Sequence, residues 1–333
     1  MAMRSPSMSK LLTPPGGKSA TAQTGTAVSA TALTSCGGTG HLSTRVRENC
    51  NSEEPNRSLA EFADPAPLQP DYFGALQGLA DCTPTAEQRK GMLMTKLDHV
   101  IEELVTGNRI LAREGVVDSF GHISVRHPDN PQRYLLSRSR APDCIEASDI
   151  MEFTLDGMPV DGGGRPPYLE RFIHGALYEA RPDVMSVVHN HSESVIPFGV
   201  TDRAIKPIFH MGASIGHEVP VWDSHDHFGD TALLVENMEM GRDLAKLIGA
   251  GATALMRGHG ATVAAKSIRQ AVYVSIYLEV NARLQKQAMD MGEVKFLTRG
   301  EIDKVAERTG PYGINRAWEN WCRRAGRPFQ AEL

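Results

Sequence analysis

No aromatic side chain occurs before Phe62: all ten Phe, seven Tyr and three Trp of the 333 residues lie beyond position 61. Aromatic rings supply much of the apolar area a core can bury, so the front of the chain has little to build one from. Between Leu11 and Gly40, 23 of 30 residues are Ser, Thr, Gly, Ala or Pro. Such a stretch cannot offset the entropy lost on ordering it. Residues 1–90 are therefore expected to form a disordered low-complexity extension, with one folded domain over 95–333. Gly16-Gly17-Lys18-Ser19 has a faint likeness to a phosphate loop, but Leu12 stands where G-x-x-x-x-G-K-[ST] needs its first glycine. An organellar transit peptide shares the acid-poor, Ser-rich composition, yet no Arg-rich amphipathic helix is visible. The reading we prefer is a start at Met92 or Met94, which opens directly onto a helix.

Charge narrows the function. Residues 1–47 hold five Lys/Arg and no Asp or Glu, which leaves 30 basic against 40 acidic side chains in the other 286 residues. A mildly acidic body argues against nucleic acid or an anionic membrane as partner. No apolar run approaches the length of about 20 residues that spans a bilayer. The five cysteines are odd in number, scattered and without a C-x-x-C pair. That pattern argues against a disulfide scaffold or thiolate zinc knuckle, and a reducing cytoplasm is the expected location.

From residue 96 onward, helix and strand patterns alternate. Leu97, Val100, Ile101, Leu104 and Leu111 make one face of a helix over Lys96 to Glu114. Gly121 to Arg126 and Tyr134 to Leu136 read as short strands, and Ile150 to Leu155 with Asp156-Gly157 reads as a hairpin arm. Tyr168 to Arg181 is predicted helical and stopped by Pro182, while Val184 to Val188 and Ala252 to Met256 are buried strands. A long helix covers Ser267 to Met291. This mixture predicts a three-layer α/β/α sandwich with a mixed, largely antiparallel central sheet.

The chemistry lies in the histidines. The strand ending at Val188 runs into His189-Asn190-His191, and side chains two apart on a strand share a face, so both imidazoles can converge on one ion. His259 follows another strand end, with Gly258 and Gly260 on either side to free the backbone around it. Three imidazoles at strand ends leave open positions on a divalent metal, as a catalytic site requires. The alternative is an H-x-H merely exposed at a strand end. Glu170, at the start of the preceding helix, is the nearby acid; its alternative role is a carboxylate favoured by the helix dipole. His174, one turn on, either orients Glu170 or packs in the core. His225-Asp226-His227 repeats the H-x-H spacing in a Gly/Asp-rich stretch with no third partner, and a solvated loop is the reading we prefer.

The run Glu170-x-x-x-His174-x-x-x-Tyr178-x-x-Arg181-Pro182-Asp183, then Val187-Val188-His189-Asn190-His191 and Gly258-His259-Gly260, resembles the class II aldolase/adducin family, of the fuculose-phosphate aldolase type. The resemblance spans about Lys96 to Met291. It implies an α/β/α sandwich, usually a homotetramer with sites between subunits. It also implies His189, His191 and His259 as ligands of one divalent metal ion per subunit, and Glu170 as catalytic acid/base. Zn, Mn, Co and Fe are not ranked by imidazole ligands, with Zn the family default. The non-enzymatic adducin branch typically lacks this metal set.

Several positions depart from the sugar-phosphate aldolases. Tyr168 and Leu169 stand where those enzymes have a phosphate-holding serine pair. The Gly-Asn-x-Ser stretch becomes Gly121-His122-Ile123-Ser124, and the Thr-Pro-Ser-Gly loop becomes Ser137-Arg138-Ser139-Arg140. A catalytic tyrosine aligns with His210. The phosphate anchor is lost, and guanidiniums suited to a carboxylate are gained; the alternative is that Arg138 and Arg140 are solvated surface charges. These changes resemble the subgroup that decarboxylates aromatic acids of the 3,4-dihydroxyphthalate type. Glu170, His122 and His210 are the candidate proton carriers, with Arg138, Arg140, Ser137 and Tyr168 as substrate-binding candidates. The expected partner is a small carboxylated molecule. An aldolase for an unphosphorylated hydroxy-acid or sugar is the second reading, and a non-catalytic adducin-like interaction module the third.

Overall fold

Thr95 opens the first helix with a capping box: its hydroxyl accepts from the Asp98 N–H while the Asp98 carboxylate accepts from the Thr95 N–H. The computed structural model describes residues 94–329, so the expectations for residues 1–90 and for the Met92 start lie outside the described residues. The principal elements run α1 Lys96–Arg113, β1 His122–Arg126, β2 Arg133–Ser137, β3 Ile150–Thr154, α2 Arg171–Ala180 and β4 Ser186–Asn190. After these come β5 Val221–Trp222, α3 Met238–Ile248, β6 Thr253–Met256, β7 Gly260–Ala265, α4 Ile268–Met291 and α5 Arg299–Arg324.

The seven strands form one sheet in the order β3-β2-β1-β4-β7-β6-β5, with every pair antiparallel except β5 with β6. The sheet is thus mixed and largely antiparallel, as expected. Strand alternation sends two sets of side chains to opposite faces. Ile123, Val125, Leu135, Val188 and Val263 pack with Leu104 and Leu111 of α1, Val272 and Ile276 of α4, and Trp318 and Trp321 of α5. Tyr134, Leu136, Phe153, Val187 and Ala264 pack with Ile173 and Leu177 of α2 and Leu244 and Ile248 of α3. Those two buried clusters, one on each side of the sheet, make the three layers. No helix among the described residues is long and apolar enough to cross a membrane.

Element boundaries shift in ways that matter to the site. Strand β4 begins two residues later than predicted and includes His189 and Asn190. Helix α2 begins at Arg171, because an isolated bridge between Arg138 and Pro167 holds the chain extended before it. Glu170 is consequently the residue preceding the first turn rather than part of that turn. The Asp156-Gly157 turn forms, with Gly157 at φ +80°, but the returning arm makes only one bridge, Phe153 to Pro159. β5, β7, α3 and α5 were not legible in the sequence pattern.

Candidate active site

Antiparallel pairing brings the site together. β4 lies between β1 and β7, and its register sets His122 opposite His189 on one side and Thr262 opposite His189 on the other. Registered partners share a face, so His122 and His189 emerge on the side covered by α2 and α3. His191 follows the end of β4. His259 occupies the tip of the β6–β7 hairpin, its N–H bonded to the Met256 carbonyl at 3.1 Å. Two glycines make that tip possible. Gly258 has φ +65°, and a Cβ on Gly260 would stand 2.0 Å from the Asn190 carbonyl oxygen.

The three imidazoles converge. Nε2 of His191 lies 3.1 Å from Nε2 of His189 and 3.1 Å from Nε2 of His259. Glu170 joins them through Oε2, 3.3 Å from His189 Nε2 and 3.5 Å from His259 Nε2. Its other oxygen accepts the Val235 N–H at 3.0 Å, which anchors the carboxylate across the gap to α3. Burial alone would raise the Glu170 pKa, but the imidazoles of His189 and His259 and the Val235 N–H outweigh it and bring it to about 2. Burial, and then His189, lower His259 to about 4, and the same two causes lower His191. Both are held neutral, the form that donates a lone pair to a metal.

This donor set fits a divalent ion. His191 Nδ1 lies 3.1 Å from Asp118 Oδ1, and donating its proton there leaves a single lone pair on Nε2. One lone pair cannot serve two neighbouring nitrogens as hydrogen-bond acceptor, whereas a cation among the three accommodates all of them. Glu170, His189, His191 and His259 are the one group of metal-ligating side chains among the described residues whose donor atoms lie within 4.8 Å of each other. Asp118 was not anticipated from sequence. Its carboxylate also accepts from the N–H groups of Phe120 and Gly121, so the loop before β1 fixes it.

Behind the four lies a buried polar line. His122 Nδ1 is 2.7 Å from His174 Nε2, His174 Nδ1 is 2.6 Å from Ser124 Oγ, and Ser124 Oγ is 2.7 Å from the Tyr178 hydroxyl. All four residues are buried. Desolvation, then His174 and His189, hold His122 well below the ordinary imidazole value, and desolvation brings His174 to about 3. Of the two roles foreseen for His174, burial in the core holds, and its ring nitrogens go to His122 and Ser124 rather than to Glu170. The His122 ring packs against Tyr168 at 4.4 Å and His189 at 5.2 Å between centroids.

The remaining candidates fall in three places. Arg138 and Arg140 are not free surface charges: Nε of Arg138 and Nη1 of Arg140 each donate to one oxygen of Asp149 at 2.6 Å. Asp149 is buried and was not foreseen. Tyr168 ties the same loop down, its hydroxyl donating to the Arg140 carbonyl, and Ser137 is buried beside it at the end of β2. His210 is exposed and lines a cavity of about 1120 Å³ to which none of the four converging residues contributes, so the chain does not bring it to its own site. His225 and His227 are exposed as expected, but they lie on a one-turn helix, His225–Phe228, rather than a loop, and His227 Nδ1 pairs with Asp243 at 2.9 Å.

Residues 102–286 match the Class II Aldolase and Adducin N-terminal domain family. The decarboxylase TropJ of Talaromyces stipitatus is 33% identical over 247 residues, covering 67% of this chain and 92% of that protein. The 3,4-dihydroxyphthalate decarboxylase of Arthrobacter keyseri is 31% identical over 236 residues, covering 66% of this chain and 91% of that one. Among solved structures, an aldolase II superfamily protein from Pseudomonas syringae superposes with a TM-score of 0.60 at 23% identity, over 71% of this chain and 96% of that chain. The match over more than half of the chain, together with the 33% identity to TropJ, shows that the chain belongs to the class II aldolase and adducin family.

Proposed function

We propose that this protein is a divalent-metal-dependent carbon–carbon lyase that decarboxylates a small hydroxylated aromatic acid. The observation that carries the reading is the convergence of three imidazoles and one ionised carboxylate beside the buried His122. His189, His191 and His259 would hold the ion, one per subunit and zinc by the family's habit. When bound, it supplies a Lewis acid for the electron pair left on the ring as CO2 departs. Glu170, ionised at rest, takes the proton of the substrate hydroxyl and returns it to the ring carbon that loses CO2, after which solvent restores the hydroxyl. Arg138 and Arg140 each retain N–H groups beyond the one used on Asp149, and these suit a second carboxylate. Tyr168, buried and bonded to Arg140, occupies the ground on which a phosphate would be cradled.

Similarity to two decarboxylases supports this substrate class. Assembly as a homo-oligomer, a tetramer by resemblance, and a cytoplasmic location belong to the same proposal. His210 takes part only if assembly brings it to a neighbouring subunit's site. The test is CO2 release by the metal-loaded protein from 3,4-dihydroxyphthalate and dihydroxybenzoates, with fuculose phosphate as the competing substrate. Cleavage of the sugar phosphate with no CO2 from any acid would replace the decarboxylase by an aldolase. Purified protein that binds no divalent ion and turns over neither would leave an adducin-like interaction module.

A further inference from the structure

The geometry points to His122 as a substrate-contacting group of fixed polarity. The line Tyr178–Ser124–His174 locks it in the tautomer that carries its proton on Nε2, so it can only donate to a substrate oxygen, and His174 is the positioning residue that enforces this.

The direction follows from counting protons. Each of the three contacts, at 2.7, 2.6 and 2.7 Å, holds one hydrogen, and neither imidazole has a carboxylate bonded to it. Both rings are buried without a counter-charge and are neutral, so each carries one N–H and one lone pair. Two arrangements then satisfy the line. In one, Tyr178 donates to Ser124, Ser124 to His174 Nδ1, and His174 Nε2–H to His122 Nδ1. In the other, every hydrogen is reversed and the Tyr178 O–H must find an acceptor elsewhere. Ser124 Oγ is the one acceptor bonded to that hydroxyl among the described residues, its other partner, the Val187 N–H, being a donor, and the tyrosine is 1% exposed. A buried hydroxyl proton without an acceptor is costly, whereas an oxygen without a donor is tolerated more easily. The Tyr178 ring cannot turn away either. Arg126 stacks on it at 4.8 Å and donates to the Tyr178 carbonyl at 2.8 Å, and to those of Val184 and Arg181 at 3.0 and 2.9 Å. The first arrangement therefore holds, and Nε2–H is the free end of the line. Nε2 has no partner within the chain among the described residues, while the ring stands against His189 and Tyr168.

A neutral imidazole with its lone pair already engaged cannot act as a base, and its N–H is a poor acid. Its fitted task is to hold a carboxylate, phenol or carbonyl oxygen beside the converging side chains, leaving proton movement to Glu170. This assignment refines the role of His122 within the proposed lyase and rests on that reading only for the identity of the oxygen.

Ring-15N-histidine spectra of the zinc-loaded full chain test it, with the His122 signals assigned by their absence in His122→Phe. The expected result is a protonated Nε2 and an acceptor Nδ1 in the parent, with the Nε2 signal shifting when 3,4-dihydroxybenzoate is added. Tyr178→Phe removes the terminal donor, so a second tautomer should emerge; kcat/KM should fall about 10-fold or more with zinc content unchanged, in the range known for groups that orient a site residue. Should Tyr178→Phe fail to fold, Ser124→Ala cuts the same line one link closer. A parent His122 protonated on Nδ1, or an unchanged tautomer in both variants, overturns the assignment. Failure of the lyase reading looks different: the expected tautomer, with no CO2 from any acid.

Discussion

His191 and Asp118 stand 3.1 Å apart through Nδ1 and Oδ1, and that contact decides which nitrogen of His191 faces its neighbours. Carboxylates bonded to the far nitrogen of a ligating histidine orient the ring and raise its basicity. Asp118→Asn should weaken divalent-ion affinity by about 10–100-fold without unfolding the protein. Competition with a chromophoric chelator measures it, and unaltered affinity would remove Asp118 from the site.

The ligand and proton roles separate by mutation. His259→Ala takes away one of three imidazoles and should yield protein largely free of divalent ion, as read by elemental analysis. Glu170→Gln preserves shape and one oxygen but cannot carry the proton, so it should retain ion and lose turnover by about 100-fold or more. Stoichiometric ion in His259→Ala would contradict the triad, and full activity in Glu170→Gln would reduce that carboxylate to an anchor for Val235.

The arginine loop should separate affinity from chemistry. A charge-assisted contact to a substrate carboxylate contributes about 1.5–3 kcal/mol, or roughly 10–150-fold in apparent affinity. Arg138→Ala or Arg140→Ala should raise KM for an acidic substrate at constant ion content. Arg138→Lys should be impaired as well, since an ammonium loses the two-point fork. Asp149→Ala should be worse than either in stability, because it leaves two guanidiniums without the carboxylate they share. Equal KM in all of these variants would detach the loop from the substrate.

Gly260 joins stability to the site. A methyl group there meets the Asn190 carbonyl at 2.0 Å, so β7 must withdraw from β4 and carry His259 with it. Gly260→Ala should cost about 1–3 kcal/mol and weaken ion binding in the same variant. Thermal unfolding with and without added zinc checks both, and a wild-type midpoint would show that the strands can part without penalty.

Much of this arrangement could be read from the chain, for reasons that differ by residue. His189, His191 and His259 were legible because H-x-H and Gly-His-Gly are local patterns with local chemistry. Asp118, Asp149, and the bonds joining Ser124 and Tyr178 to His174 were not. Each depends on a partner set by strand register or loop closure, such as the 73 positions between Asp118 and His191. β7 escaped notice because Gly260-Ala261-Thr262-Val263-Ala264-Ala265 is small-sided and buried on both faces, which erases the alternation that marks a strand. β4 was placed two residues early because Val184 and Met185 extend its apolar run, although Val184 is buried in the connection from α2. Arg138 and Arg140 were recognised as cations, but their common counter-ion lay on the far side of a turn.

The pairing of β1 with β4 has a consequence for how the protein comes to be active. His122, Ser124 and Arg126 alternate with Ile123 and Val125, so sliding β1 by a single position would thrust two aliphatic chains into the catalytic chamber and bury a guanidinium among α1 and α4. No partly registered sheet retains a weakened version of the site. Catalytic competence is therefore an all-or-none report of correct strand alignment, and a misfolded copy would be inert rather than indiscriminately reactive.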